Sequence, residues 1–320
     1  MAEPLLSVRD LCVDYVTPRG RVRGLDRVSL DVAAGEVLGL AGESGSGKST
    51  LAQALLRILP PPAVITGGAV RFEGRDLLTL DEAGLRAVRW ARIAMVFQSA
   101  MDALNPVLTV GEQIADTLRA HGRLAARADA RAHAGELLAR VGLPPSVFDA
   151  YAHQLSGGMR QRVGITLALA LEPALLILDE PTTALDVIVE REILEEIRAL
   201  QRRSGFAVLF ITHDLARMLQ FSDRVAVFYA ARLVECGPAD ALRRAPRHPY
   251  TQGLLRAFPA VHGDAVEVAS IPGSPPSLEH PPTGCRFHPR CPLAADRCRA
   301  EAPPLRTLAP GHAAACHFAG

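Results

Sequence analysis

Residues Gly42-Glu43-Ser44-Gly45-Ser46-Gly47-Lys48-Ser49-Thr50 have the types and spacing needed to hold a polyphosphate. They match G-x-x-x-x-G-K-[ST], the phosphate loop or Walker A pattern. Its glycines let the backbone wrap closely, so that successive N–H groups face an anion. The Lys48 ammonium suits β- and γ-phosphates, and the Ser49 hydroxyl is a hard oxygen donor for Mg2+. Of 35 Lys and Arg residues, Lys48 is the only lysine. A compact ammonium fits inside a closed anion loop where a planar guanidinium would not. The plainer reading is a flexible Gly/Ser turn that happens to contain lysine. It leaves unexplained why an apolar strand precedes the turn and a helix follows it.

Other candidates sit where apolar runs end. Leu175-Leu176-Ile177-Leu178-Asp179-Glu180 reads as a buried strand with two carboxylates at its end. Asp179 is placed to hold Mg2+, and Glu180, pointing the other way, to act on an attacking water as general base or orienting group. Gln98 ends the apolar stretch Ile93 to Phe97 and could touch Mg2+ or water. His213 follows Val208 to Ile211 and could bond a γ-phosphate. Ser156-Gly157-Gly158 opens a helix running to Leu171, and such a helix start attracts anions. The chain already has one phosphate loop, so the economical expectation is that this start faces the nucleotide of a neighbouring subunit. Each candidate has a plainer alternative: an ordinary N-cap at Ser156, a polar strand end at Gln98, a structural histidine at 213. Tyr15, on or just after the first strand, either stacks on a purine or packs as an ordinary strand tyrosine.

The elements that must position these residues follow from periodicity. Leu6 to Tyr15, Val28 to Val32 and Val37 to Leu40 read as strands, the last running into the phosphate loop. A helix from Lys48 is expected to end at Pro60-Pro61-Pro62. Val110 to Val141 has helical spacing at Ile114, Leu118, Leu137, Leu138 and Val141, with a split near His121-Gly122. Asn105-Pro106 marks a turn before it. Asp186 ends a turn into a helix over Val187–Arg203. Val225 to Tyr229 and Leu233 to Cys236 complete the sheet, and Gly237-Pro238 closes it. Fourteen of 24 prolines lie at or after Pro238, and Ile271-Pro272-Gly273-Ser274-Pro275-Pro276 can form neither helix nor central strand.

Composition narrows the function classes. The 320 residues carry a net charge of +1 and 5% aromatics, which argues against nucleic-acid binding through a basic field or stacking platforms. The longest apolar candidate, Val163 to Leu178, is broken by Glu172-Pro173, and Met1-Ala2-Glu3-Pro4 does not open a signal peptide. A cytosolic protein that meets membranes through partners is expected. Cys285, Cys291, Cys298 and Cys316 cluster late in the chain with spacing C-x5-C-x6-C-x17-C. In a reducing compartment this suggests metal rather than disulfides.

The order phosphate loop, Gln98, Leu155-Ser156-Gly157-Gly158-Met159-Arg160-Gln161-Arg162, aliphatic-Asp179-Glu180, Asp186 and His213 resembles the ATP-binding cassette family over roughly Leu6 to Leu242. Arg247-His248-Pro249-Tyr250-Thr251, Ile271 to Pro276 and Gly284-Cys285-Arg286-Phe287-His288-Pro289-Arg290-Cys291-Pro292 resemble the tail of oligopeptide/dipeptide permease ATP-binding subunits. Ala103-Leu104-Asn105-Pro106 fits the same group.

The resemblance implies an α/β fold: an ABC nucleotide-binding domain over 1–242, with a mixed sheet and an inserted helical subdomain at about 99–172. A small Cys-rich extension over 243–320 would follow. It also implies residue roles. Tyr15 stacks on adenine, the loop and Lys48 hold phosphates, and Ser49, Gln98 and Asp179 serve Mg2+. Glu180 acts on water and His213 touches the γ-phosphate. Asp186 communicates across a dimer, and Ser156–Gly158 complete the opposite subunit's site. Implied partners are a second ATPase (a paralogue or a copy), two transmembrane permease subunits and an external substrate-binding protein, at the cytoplasmic face of a plasma membrane. For the tail cysteines it implies a [4Fe-4S] cluster. Zn2+ is the main alternative, disulfides or free thiols are the plain one, and His288, His312 or His317 could replace a ligand. The cargo is expected to be di- or oligopeptides, with nickel or another small solute as the alternative. A soluble ABC ATPase without a transport role and a metal-binding interaction module are the rivals. Two departures stand out, Ser99-Ala100 after Gln98 and the turn Tyr229-Ala230-Ala231 in place of a glycine-containing one. The second has no functional meaning in the sequence alone.

Overall fold

The computed structural model describes residues 3–97, 103–123, 127–182, 185–257 and 270–319, with the side chains of 127–130 left aside. Its chain divides into two units: residues 1–79 with 210–320, and residues 80–209.

In the first unit the alternation expected at Val28, Leu30 and Val32 forms, while the expected strand from Leu6 forms with bulges that interrupt its pairing. Val8, Leu11 and Val13 are buried on β1 (Leu6–Thr17), and Val28, Leu30 and Val32 on β2 (Gly20–Val32), its antiparallel neighbour. The wholly buried β3 (Val37–Ala41) runs into the glycine-rich loop, which opens α1 (Lys48–Leu55). That helix stops short of the prolines, and Arg57 adopts a left-handed φ of 51°. β4 (Ala63–Phe72) pairs with β1, and the two-residue β5 (Arg75–Asp76) completes a four-stranded sheet in the order β2-β1-β4-β5.

The second unit holds α2 (Glu82–Val88), β6 (Ile93–Val96), α3 (Val110–Ala120), α4 (Arg127–Arg140), α5 (Gly157–Leu169), β7 (Leu175–Asp179) and α6 (Val187–Ser204). The two expected helices over 110–141 form as α3 and α4. A reciprocal capping box between Thr109 and Glu112 fixes the start of α3, which buries Val110, Ile114 and Leu118. β6 and β7 pair in parallel, Ile93 beside Leu175, and both strands are buried throughout. Continuous burial explains why they read as unbroken aliphatic runs. Trp90 is tied into this unit by its indole N–H, which donates to the Leu167 carbonyl at 3.0 Å.

β8 (Ala207–Ile211) carries the chain back to the first unit. There α7 (Leu215–Phe221) leads to β9 (Arg224–Tyr229), parallel to β3, and β10 (Arg232–Pro238), antiparallel to β9. α8 (Ala239–Arg244) and α9 (Pro249–Ala257) follow, then α10 (Asp296–Ala300), β11 (Arg306–Ala309) and β12 (His312–Ala314). β12 pairs with β10, Glu235 beside Ala314, so the tail extends the sheet that contains β3. Tyr229, Tyr250 and Phe287 are almost wholly buried, with ring centroids 4.6 to 5.4 Å apart. This aromatic cluster joins β9 to two separate stretches of the tail. Glu235, fully buried, accepts hydrogen bonds from the backbone of Arg247 and His248 and pairs with His312 at 2.8 Å. A buried carboxylate with that many partners is satisfied.

Candidate functional site

In the first unit the glycine-rich loop is closed around its lysine. Lys48 Nζ donates to the carbonyls of Gly42 at 2.8 Å and Glu43 at 3.0 Å, and to Ser46 Oγ at 3.4 Å. Gly42 has φ of 139°, and a Cβ there would lie 2.2 Å from the Phe228 carbonyl. Gly47, the N-cap of α1, has φ of 109°, and its Cβ would lie 2.7 Å from the Gly24 carbonyl. No L side chain fits at either place, so these two glycines are demanded by the local backbone. Ser44, Gly45 and Ser49 are exposed at the mouth. Tyr15 lies against the start of α1, its hydroxyl 2.9 Å from Thr50 Oγ1 and its ring over Gly24. His213 is exposed just after β8.

Four further residues support the loop and were not found from the motifs. Arg290 places both guanidinium nitrogens on the Glu43 carboxylate, at 2.8 and 3.0 Å. That hydrogen-bonded pair raises the Arg290 pKa above its ordinary value. Tyr250 accepts a hydrogen bond from the Glu43 amide at 2.9 Å, and burial raises its hydroxyl pKa. Arg286 donates to the Ala230 carbonyl and to Asp26, the latter at 2.7 Å; burial, with Arg232 nearby, lowers its pKa to about 10. Asp26 also pairs with Arg232 at 2.7 Å; burial opposes its charge, but these arginines hold its pKa below the usual carboxylate value. The turn Ala230-Ala231 thereby gains a meaning that the sequence alone did not give it. The Ala231 amide donates to the Ser46 carbonyl at 3.0 Å, so the turn braces the loop. Both alanines hold left-handed backbone, with φ of 45° and 67°.

The second unit carries the other candidates. Asp179 is buried at the last position of β7. Glu180 follows it with φ of 47°, a left-handed conformation costly for a non-glycine residue. This left-handed residue ends the extended run of β7 at Asp179. Ser156 caps α5, accepting from the Met159 amide at 3.3 Å, while Ser156 and Gly157 are exposed. The plain reading of Ser156 as an N-cap therefore holds, alongside any role toward an anion. Asp186 caps α6, accepting from the amides of Ile188 and Val189. A Cβ on Gly158 would lie 2.8 Å from Val189 Cγ1, so the starts of α5 and α6 pack closely. Ser49 and Asp179 are hard oxygen donors of the type Mg2+ prefers. Gln98, Ser99 and Ala100 lie outside the described residues.

The tail cysteines lie near one another but form no metal cage among the described residues. The Cys285 amide donates to the Cys298 carbonyl at 2.8 Å, and all four thiols are free. Burial raises the Cys285 pKa, with Cys298 and Cys316 adding to the rise, and lifts that of Cys291 to about 11, with Cys285, Cys316 and Cys298 adding. The four thus share one neighbourhood. Among the described residues, however, no three His, Cys, Asp or Glu side chains are arranged to hold a metal, so the side chains as they stand do not fit a preformed cage. The histidines offered as substitutes are engaged: His288 with the Cys285 carbonyl at 2.9 Å, His312 with Glu235, and His317 with the Glu301 carbonyl at 2.9 Å. Among the described residues no helix is long and apolar enough to cross a membrane.

Residues 25–183 match the family model described as ABC transporter, and residues 234–298 match that described as oligopeptide/dipeptide transporter, C-terminal region. The chain is 45% identical over 318 residues to the dipeptide transport ATP-binding protein DppD of Escherichia coli (strain K12), covering 98% of this chain and 96% of that protein. It is 43% identical over 315 residues to the DppD of Caldanaerobacter subterraneus subsp. tengcongensis, covering 98% and 97%. Among solved structures it resembles the ATP-binding cassette MJ0796, a dimer in a post-hydrolysis state bound to ADP and Pi. The TM-score is 0.66 at 27% identity, over 73% of this chain and 98% of that one.

Proposed function

Because the chain belongs to the ABC transporter ATP-binding proteins of the oligopeptide/dipeptide type, we propose that it hydrolyses ATP to power uptake of di- or oligopeptides across a plasma membrane. The observation that carries this reading is the closed loop around Lys48, whose carbonyl-held ammonium sits at the start of α1. A triphosphate entering the loop would take over that ammonium, and loop amides would meet its oxygens.

Each candidate then has one task. Tyr15 stacks on the adenine, Gly42 to Thr50 hold the phosphates, and His213 contacts the γ-phosphate. Ser49, Gln98 and Asp179 hold Mg2+, which neutralises phosphate charge when bound. Glu180 takes the proton of the attacking water or orients it, and its left-handed backbone supports that assignment. Ser156 to Gly158 complete the nucleotide site of a second ATPase, a paralogue or a copy, with Asp186 beside them. Two transmembrane permease subunits and an external binding protein supply the path and the cargo, so this chain works as a peripheral subunit on the cytoplasmic face. Residues 243–320 act as an extension of the 1–242 cassette. Its four thiols are read as ligands of a [4Fe-4S] cluster, with Zn2+ as the alternative; their shared neighbourhood supports this, and metal loading would have to draw them closer. Iron and zinc content with the visible spectrum decides it: broad absorbance lost in Cys291→Ser supports the cluster, and colourless protein with stoichiometric zinc refutes it.

The test of the main reading is Glu180→Gln in the assembled importer. It should bind Mg-ATP and hydrolyse it at least about 100-fold more slowly. Turnover near the wild-type rate removes Glu180 from its role.

A further inference from the structure

One short tail segment, Arg286 to Arg290, reaches the phosphate loop by two routes. In the first, Arg290 is nearly buried and anchored by its Nε–H on the Pro272 carbonyl at 2.8 Å. Its two other nitrogens fork onto Glu43, the second residue of the loop. The carbonyl of that same Glu43 holds Lys48 Nζ. In the second route, Arg286 grips the Ala230 carbonyl, and the neighbouring Ala231 amide holds Ser46.

The electrostatics give the first route a purpose. A loop built to receive a triphosphate carries a carboxylate of its own at Glu43. Left unpaired, that charge would repel the incoming phosphates across a partly desolvated gap. A forked guanidinium neutralises it and fixes its direction, which a lysine cannot do as well. The Tyr250 hydroxyl holds the backbone amide of the same residue.

We propose that Arg290 is a positioning residue for nucleotide: by pairing with Glu43 it removes a repulsive charge and sets the phosphate loop, so that the C-terminal extension takes part in binding ATP. The inference rests on the reading that Gly42–Thr50 receive the phosphates of ATP.

The experiment measures Mg-ATP binding by the purified full-length chain, and KM and kcat for ATP in the assembled importer. Arg290→Ala should weaken Mg-ATP binding about tenfold and raise KM by a like factor, while kcat changes about twofold or less. Adding Glu43→Gln to Arg290→Ala should restore affinity to within about threefold of wild type, because the charge that needed a partner is gone. Arg290→Lys should fall between wild type and Arg290→Ala. Should Arg290→Ala fail to fold, Arg290→Gln, which keeps the length but not the charge, carries the test, and it should raise KM by a few-fold with kcat changed about twofold or less. Lys48→Ala is the control for the underlying reading. Lost binding in Lys48→Ala with normal binding in Arg290→Ala, or in Arg290→Gln where the former is insoluble, overturns the positioning role alone. A lowered affinity in Arg290→Ala that Glu43→Gln does not relieve also overturns it, since a merely structural defect behaves that way. Normal binding by Lys48→Ala overturns both readings together.

Discussion

Glu180 and the alanine turn both hold left-handed backbone, and the two cases differ in what the strain serves. At Glu180 it breaks the extended backbone directly after the strand that ends at Asp179. At Ala230-Ala231 it shapes a turn that braces Ser46. A glycine at Ala231 relieves the Cβ penalty while keeping the amide. Ala231→Gly should therefore raise stability by up to about 1 kcal/mol, read as a higher denaturation midpoint at unchanged slope. The reverse change at Gly47 should be severe. Gly47→Ala drives a Cβ against the Gly24 carbonyl, and it should abolish Mg-ATP binding in the purified chain. The motif residues were legible because their chemistry is written in consecutive positions. Arg290 and Glu43 stand 247 positions apart, and Tyr250 and Glu43 stand 207 apart. No local pattern joins such pairs, and around Arg286 and Arg290 the flanking cysteines carry the more conspicuous local pattern.

Helix starts are the elements on which most candidate residues sit. The N-caps of α1, α5 and α6 are Gly47, Ser156 and Asp186, and those of α5 and α6 bond backbone amides through their side chains. Ser156→Ala should cost about 1 kcal/mol from the lost cap, seen in thermal unfolding. The proposed facing of Ser156 toward a second nucleotide gives a separate expectation. In the assembled importer, a cysteine introduced at the exposed Ser156 should react with maleimide more slowly once Mg-ATP is bound. Equal labelling with and without nucleotide speaks against the facing arrangement. Periodicity gave α3 and α4 and the buried strands β6 and β7 correctly, because long apolar repeats survive tertiary context. It overran α1, since nothing in Leu56 to Leu59 signals that Arg57 turns left-handed before the prolines.

Across the whole chain, the stretch after Leu242 is less separate than its proline content suggests. His248 is fully buried, its Nδ1 accepting from the Tyr250 amide at 3.0 Å, and burial lowers its pKa to about 4. The folded state therefore keeps this ring neutral where an unfolded chain would protonate it, near pH 6.5. Stability should be full above that pH and fall as pH drops toward 4, by up to about 3 kcal/mol from this group. In His248→Gln that part of the acid sensitivity should vanish, which denaturant titration at pH 7 and pH 5 will reveal. Tail strands and buried aromatics bind the extension to the sheet, so the sequence could mark where chain character changes but not how the two parts are joined. The central claim is that the loop around Lys48 turns ATP into transport, and it meets its most direct test in membrane vesicles carrying the complete importer. With ATP supplied on the cytoplasmic side, the wild-type chain should drive uptake of a labelled dipeptide, and Lys48→Ala should lose both uptake and ATP hydrolysis. Uptake persisting at the wild-type rate in Lys48→Ala would contradict the account.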